Sequence, residues 1–150
     1  MTFRQAVHGT PHLGGNAFHA GIQALKAIDR SRIACAKTSN LSGSVDVDVA
    51  LKQILPNSPR WDYAIGYRQK AEVVYWVEVH PASLGNIAEV QSKLQWLKGW
   101  LAGDGYKLRR LDARFIWVSS GRTTLTAGSP AVRKLAQQGV QVVGRVLRIE

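Results

Sequence analysis

The chain has a single cysteine, Cys35, so no intrachain disulfide can form and no thiolate metal cluster can be assembled. Placed after Ile33-Ala34, Cys35 reads as a buried, inert thiol. No apolar run approaches the ~18 residues that a membrane helix needs. The N-terminal MTFRQAVHGTPHLGG contains no apolar h-region, so no signal peptide is expected. Internal repeats and linker-like stretches are also missing. The polar segment SSGRTT at 119–124 offers Arg122 to a phosphate but lacks the Walker A lysine pattern, which excludes that mode of nucleotide binding. Acidic residues are scarce, 10 against 20 Lys plus Arg in 150 residues, for a net charge of +10.

What is present fits one domain, residues 1–150, with a sizeable core: 45% of the residues are hydrophobic. A reducing cytoplasm suits this composition. The positive charge is an argument about partners rather than fold. Nucleic acid is the first candidate, since no basic amphipathic helix with a broad apolar face points to a membrane surface. The densest cationic groups are Lys107, Arg109, Arg110 and Arg114, then Arg145 and Arg148. The bland alternative is that the charge serves solubility or assembly, in a homodimer or with a protein partner.

The patterning predicts alternating helices and strands. Residues 1–14 read as an N-terminal arm or loop. A helix is expected from Asn16 to about Arg30, with Phe18, Ile22, Leu25 and Ile28 at helical spacing. Ser31–Ala36 is a short strand. Val45–Val49 alternates strictly and is either a strand or the entry to a short helix. Two strands follow, Trp61–Tyr67 and Glu72–His80. A helix over about Ser83–Leu101 stops near Gly103, Arg114–Ser119 is a strand, and a helix starts at Pro130. Val140–Ile149 closes the chain as a strand. The implied fold class is α/β, a mixed central sheet flanked by helices.

Chemistry concentrates in residues 61–80, WDYAIGYRQKAEVVYWVEVH. In the second strand Glu78 and His80 share one side, and Val73, Tyr75, Val77 and Val79 the other. In the first, Asp62 shares a side with the small residues Ala64 and Gly66. A five-residue connection or a bulge would put Asp62 beside Glu78; a four-residue connection would put them on opposite faces. In the following helix Lys93 sits at the edge of the core stripe, able to lean toward the sheet or to pair with Glu89 at i,i+4. Trp96 and Trp100 read as packing residues. Asp46 and Asp48 form a second acidic pair.

The motif Asp62, Glu78-x-His80 and the element order over about residues 14–120 resemble the PD-(D/E)XK nuclease superfamily, whose core is restriction-endonuclease-like. The stretch GGNAFHAGIQALK is similar to the first helix of its Holliday-junction-resolvase-like members. The resemblance implies that Asp62, Glu78 and the Val79 carbonyl bind Mg²⁺ or Mn²⁺, with His19 as a further candidate ligand. His80 stands where that family has a lysine, and His19 where a glutamate is often found. An imidazole can act as a base near neutral pH. Lys93 is the alternative source of the missing ammonium.

Three functions fit these residues: a metal-dependent nuclease-fold protein acting on DNA, the same fold without catalysis binding nucleic acid or a protein, and a basic assembly subunit. The first needs Asp62 and Glu78 to converge. The third predicts that the carboxylates pair with Arg or Lys.

Overall fold

Alternating β-branched and aromatic residues build the centre of the molecule in a computed structural model that describes residues 1–150. The strands are β1 (Phe18–His19), β2 (Ile33–Cys35), β3 (Leu41–Asp46), β4 (Tyr63–Arg68), β5 (Glu72–His80), β6 (Asp112–Ser119), β7 (Val140–Val142) and β8 (Leu147–Ile149). The α-helices are α1 (Phe3–His8), α2 (Ala27–Arg30), α3 (Val47–Leu51), α4 (Ile87–Ala102), α5 (Tyr106–Arg109) and α6 (Pro130–Gln137). Six strands form a mixed sheet in the order β1-β3-β4-β5-β6-β7. Pairing is antiparallel from β1 to β5 and parallel from β5 to β7. The fold is therefore α/β, with a mixed central sheet flanked by helices.

Both faces of the sheet are covered. On one, Val45, Ala64, Val74, Trp76 and Trp117 pack against α1 and against Val90, Leu94, Leu97 and Leu101 of α4. On the other, Tyr63, Ile65, Tyr67, Val73, Tyr75, Val77, Ile116 and Val118 pack beneath Leu25, Leu147 and Ile149. The last two belong to a second, two-stranded parallel sheet of β2 and β8. Each such side chain contributes about 1.5–3 kcal/mol when fully buried, so the two layers hold β4 and β5 firmly from both sides.

Several expectations are corrected. Residues 1–14 are not an arm. Thr2 and Gln5 form a reciprocal capping box at the start of α1, and Phe3, Ala6, Val7 and Leu13 are fully buried. Phe3 lies against Gly66, where a Cβ would come within 2.4 Å of its ring. The expected helix over 16–30 is replaced by turns, β1 and the short α2. Gly15 and Gly21 hold positive φ of 61° and 54°, which interrupts a helical path. Val140–Ile149 is not one strand: at Gly144, with φ of 83°, the chain leaves the main sheet, and β8 joins β2 instead. Helix α4 starts later than expected, after a 3₁₀ turn at Leu84–Asn86, and ends at Gly103 as expected. Helix α6 begins at Pro130 behind the Ser129 cap, also as expected.

Candidate active site

The β4–β5 register places the two acids. Tyr63 faces Val77 and Arg68 faces Glu72, which leaves a three-residue connection, 69–71. Strand β4 runs one residue beyond its expected end at Tyr67, and the odd connection puts Asp62 directly across from Glu78 on the same face. The two residues lock each other. The Asp62 backbone N–H donates to Glu78 Oε1 at 3.2 Å, and the Val79 N–H donates to Asp62 Oδ2 at 2.9 Å. Since N–H and C=O of a strand residue point to the same side, the Val79 carbonyl is also turned toward β4 and Asp62.

Asp62 is braced from behind. Its carbonyl accepts from the N–H groups of Val47 and Asp48 at the start of α3. Asp48 is itself paired with Arg60, Nε to Oδ1 at 2.9 Å, and Arg60 also donates to the Leu55 carbonyl. Asp46 ends β3 and caps α3 through the Val49 N–H. Asp46 and Asp48 thus serve separate structural roles, and neither converges on Asp62 as a second ligand pair.

Lys93 of α4 reaches the sheet. Its Nζ donates to Glu78 Oε2 at 2.6 Å, and Glu78 has no exposed surface. The i,i+4 pairing with Glu89 does not form. Glu89 instead meets His80 Nε2 at 3.0 Å, a role the sequence reading missed although Glu89 stood on the same ridge as Lys93. His80 Nδ1 lies 3.2 Å from the Pro81 carbonyl, an acceptor only. Both ring nitrogens are therefore directed at acceptors, and the ring packs edge-on to Trp117. A ring held this way has an acceptor within hydrogen-bond distance of each nitrogen, so neither nitrogen is turned toward open solvent where a water would be activated.

His19 does not join this group. It pairs with Ser44, which faces Ile65, so it belongs to the sheet face opposite Asp62 and Glu78. There it lines a cavity of about 240 Å³ with His12 and Asp46. The expectation that His19 is a metal ligand is corrected on this geometry.

The electrostatics are unbalanced. Asp62 and Glu78 bring two carboxylates, and Lys93 brings one ammonium. Burial pushes Asp62 up to about 6, against the opposing pull of Lys93 and the Val79 N–H. Burial and then the Asp62 charge push Glu78 up to about 8, although Lys93 touches it. Burial alone would lower Lys93, but Glu78 and Asp62 together outweigh it and raise it. Both groups shift upward, which favours the charge on Lys93 and disfavours it on Glu78. The excess carboxylate reconciles them: one ammonium cannot satisfy two buried anions. With Glu78 raised to about 8, a proton on its carboxyl balances Asp62 against Lys93 near neutral pH; two carboxyl groups and an adjacent carbonyl fit a small divalent cation, which would take that proton's place.

The buried Asp62 carboxylate has a measurable cost. Asp62 holds its proton more tightly folded than unfolded, so stability falls as pH rises from about 4 through 6 and stays reduced above. Asp62→Asn keeps the acceptor for Val79 and removes the charge. It should raise stability at pH 7 by about 1–3 kcal/mol, a gain that disappears below about pH 4. Denaturant unfolding at the two pH values checks this; equal stability at pH 7 would refute the burial cost of the Asp62 charge.

Beside the site, the loop after β6 is held against the end of β5. Ser120 N–H donates to the His80 carbonyl and Thr124 N–H to the Ala82 carbonyl. Arg32 donates to the carbonyls of Ser119 and Ser120 from the other face. Arg122 rides on this loop, exposed and without an acidic partner. Compared with known protein families, curated proteins and solved structures, the chain matches none. None of its helices is long and apolar enough to cross a membrane.

Proposed function

We propose that the chain is a divalent-metal-dependent nuclease-fold protein that binds DNA and hydrolyses its phosphodiesters. The observation that carries this reading is the convergence of Asp62, Glu78 and Lys93 on one sheet face, two carboxyl groups against one ammonium. The meander β3-β4-β5, followed by α4 and the parallel strand β6, accords with a restriction-endonuclease-like core. Asp62, Glu78 and the Val79 carbonyl would hold Mg²⁺ or Mn²⁺, entered from the Asp62 side because Glu78 is fully enclosed. The bound ion would supply Lewis-acid polarisation of a phosphate oxygen and a more acidic water. Lys93 has three donor hydrogens and spends one on Glu78. The others can orient a water or a phosphate oxygen at the edge of the acids. His80 is a packing and ion-pairing residue in this mechanism, a revision of its expected role as base.

One contact favours a second reading. The Glu78–Lys93 pair is also what a purely structural ion pair would look like, in a module that binds nucleic acid without turnover. Mn²⁺ separates the two readings. Under the first, saturating Mn²⁺ raises the unfolding temperature, because the ion binds only the folded state, and Asp62→Asn abolishes the rise. Under the second, wild type and variant are both indifferent to the ion.

The net charge of +10 predicts DNA binding with a steep salt dependence. On duplex DNA each phosphate contact adds roughly −0.9 to the slope of log K against log salt. Titrations of duplex, single-stranded and branched DNA at several salt concentrations test this. A protein that binds none of them at low salt is not a nucleic-acid-binding protein.

A further inference from the structure

The sheet face opposite the carboxylates carries a second polar groove, of about 370 Å³, between β6, β7 and β8. Arg114 and Arg148 line it, with Gln141 and Tyr75, over a floor that includes Val143 and Leu147. Both arginines are exposed and form no ion pair or hydrogen bond within the chain. The Arg114 guanidinium lies 5.6 Å from the centre of the Tyr75 ring. No acidic residue lines the groove; Glu150 lies in an adjoining cavity beyond Arg148, and its negative charge reaches the Tyr75 phenol as a lesser influence than burial. Tyr75 is only 4% exposed, yet its hydroxyl has no hydrogen-bond partner in the chain. Burial raises the Tyr75 phenol above its ordinary range, so it stays a neutral donor.

We propose that this groove binds a nucleotide, with Arg114 and Arg148 on its phosphate, the Tyr75 hydroxyl as a further donor, and the apolar floor against the base or sugar. Two unpaired guanidiniums facing one concavity match the planar, multidentate recognition that phosphate oxygens require. An apolar floor adds nothing for inorganic phosphate but favours a ligand with a flat organic part. The nucleotide can be free or can be one unit of a single-stranded nucleic acid. Either source presents the same chemistry. The groove lies across the sheet from Asp62, so the assignment stands apart from the nuclease reading.

Calorimetric titration of the full chain with inorganic phosphate, a nucleoside monophosphate and a short single-stranded oligonucleotide tests the proposal. The nucleotide should bind at least ~5-fold more tightly than phosphate. Arg114→Ala/Arg148→Ala should weaken it by 10-fold or more, and Tyr75→Phe by a few-fold. Lys134→Ala, on α6 and outside the groove, should change nothing. Competition between oligonucleotide and nucleotide would identify a strand as the source, and independent binding would identify a free nucleotide. No heat from the nucleotide, or equal affinity in the folded double variant, would overturn the site. Mn²⁺ binding at Asp62 and Glu78 should be the same in wild type and double variant, whichever way the nucleotide result falls.

Discussion

Glu78→Ala should reduce divalent-metal-dependent DNA cleavage by about 10³-fold or more while leaving DNA affinity within a few-fold of wild type. The carboxylate it removes is central to the site. Its Oε1 holds the Asp62 backbone and its Oε2 holds Lys93. In the proposed mechanism Glu78 is a direct metal ligand, and losing one costs more than the roughly 10–100-fold associated with partners one bond further out. DNA affinity should persist because the substitution removes a negative charge and the binding surface owes its attraction to positive ones. Lys93 keeps some solvent exposure, so it can hydrate when its partner is gone. Asp62→Asn is the companion variant: it should lose cleavage equally yet gain stability, which separates a lost function from a lost fold. Cleavage is measured on a purified, folded variant at saturating Mg²⁺ and Mn²⁺, with a co-purified nuclease excluded by an active-site double variant. Unchanged turnover in Glu78→Ala would remove the carboxylate centre from the mechanism.

The parts of the fold that could be read from the sequence are those whose pattern is local. The alternation through β4 and β5 is complete in twenty residues, and it set Glu78 and His80 on one side of the strand without any tertiary information. The stripe of α4, with Lys93 at its edge, is likewise a property of one helix. The register between β4 and β5 was not legible, because one residue of strand length at Arg68 decides whether Asp62 meets Glu78 or faces away from it. The two pairings that Lys93 could make were also undecided. A surface i,i+4 pair is worth only a few tenths of a kcal/mol, whereas the Glu78 carboxyl is fully buried and meets its cation only in Lys93, and the stronger demand took the lysine.

The N-terminal third shows the opposite case. Phe3 is buried because Gly66 has no side chain to exclude it, a dependence spanning most of the distance to the site. A six-residue helix offers too little periodicity to reveal such an anchor. In 16–30 the apolar spacing mimics a helix, but Phe18 packs on Gly43 of β3 and is held there by strand pairing. That placement carries His19 to the far face and removes it from the candidate metal ligands. The charge pattern is incomplete in the same way: in the sequence Arg114 and Arg148 stand in two separate dense cationic groups, and the return of β8 beneath the sheet brings them to one groove.

Lys93→Ala should cost about 100-fold or more in cleavage, and His80→Ala less than 10-fold. Positioned proton-handling groups typically contribute 10²–10⁴. Lys93 can make that contribution because its ammonium lies against Glu78 with donors to spare. His80 cannot, because its two ring nitrogens face the Pro81 carbonyl and Glu89. The comparison needs saturating metal, since Glu78 without Lys93 is left buried beside the Asp62 charge and takes up a proton more readily. A metal ion must then displace that proton, which would weaken binding and mimic a catalytic loss. Small primary amines distinguish the two effects. If Lys93 handles or orients the water, added methylamine should restore part of the Lys93→Ala rate without changing its metal affinity, and should leave His80→Ala unaffected. A reversed order, with His80→Ala the damaging change, would return the base to the imidazole and require the Glu89 contact to open during turnover. Wild-type rates in both variants would leave the carboxylates without a proton-handling partner and exclude this mechanism.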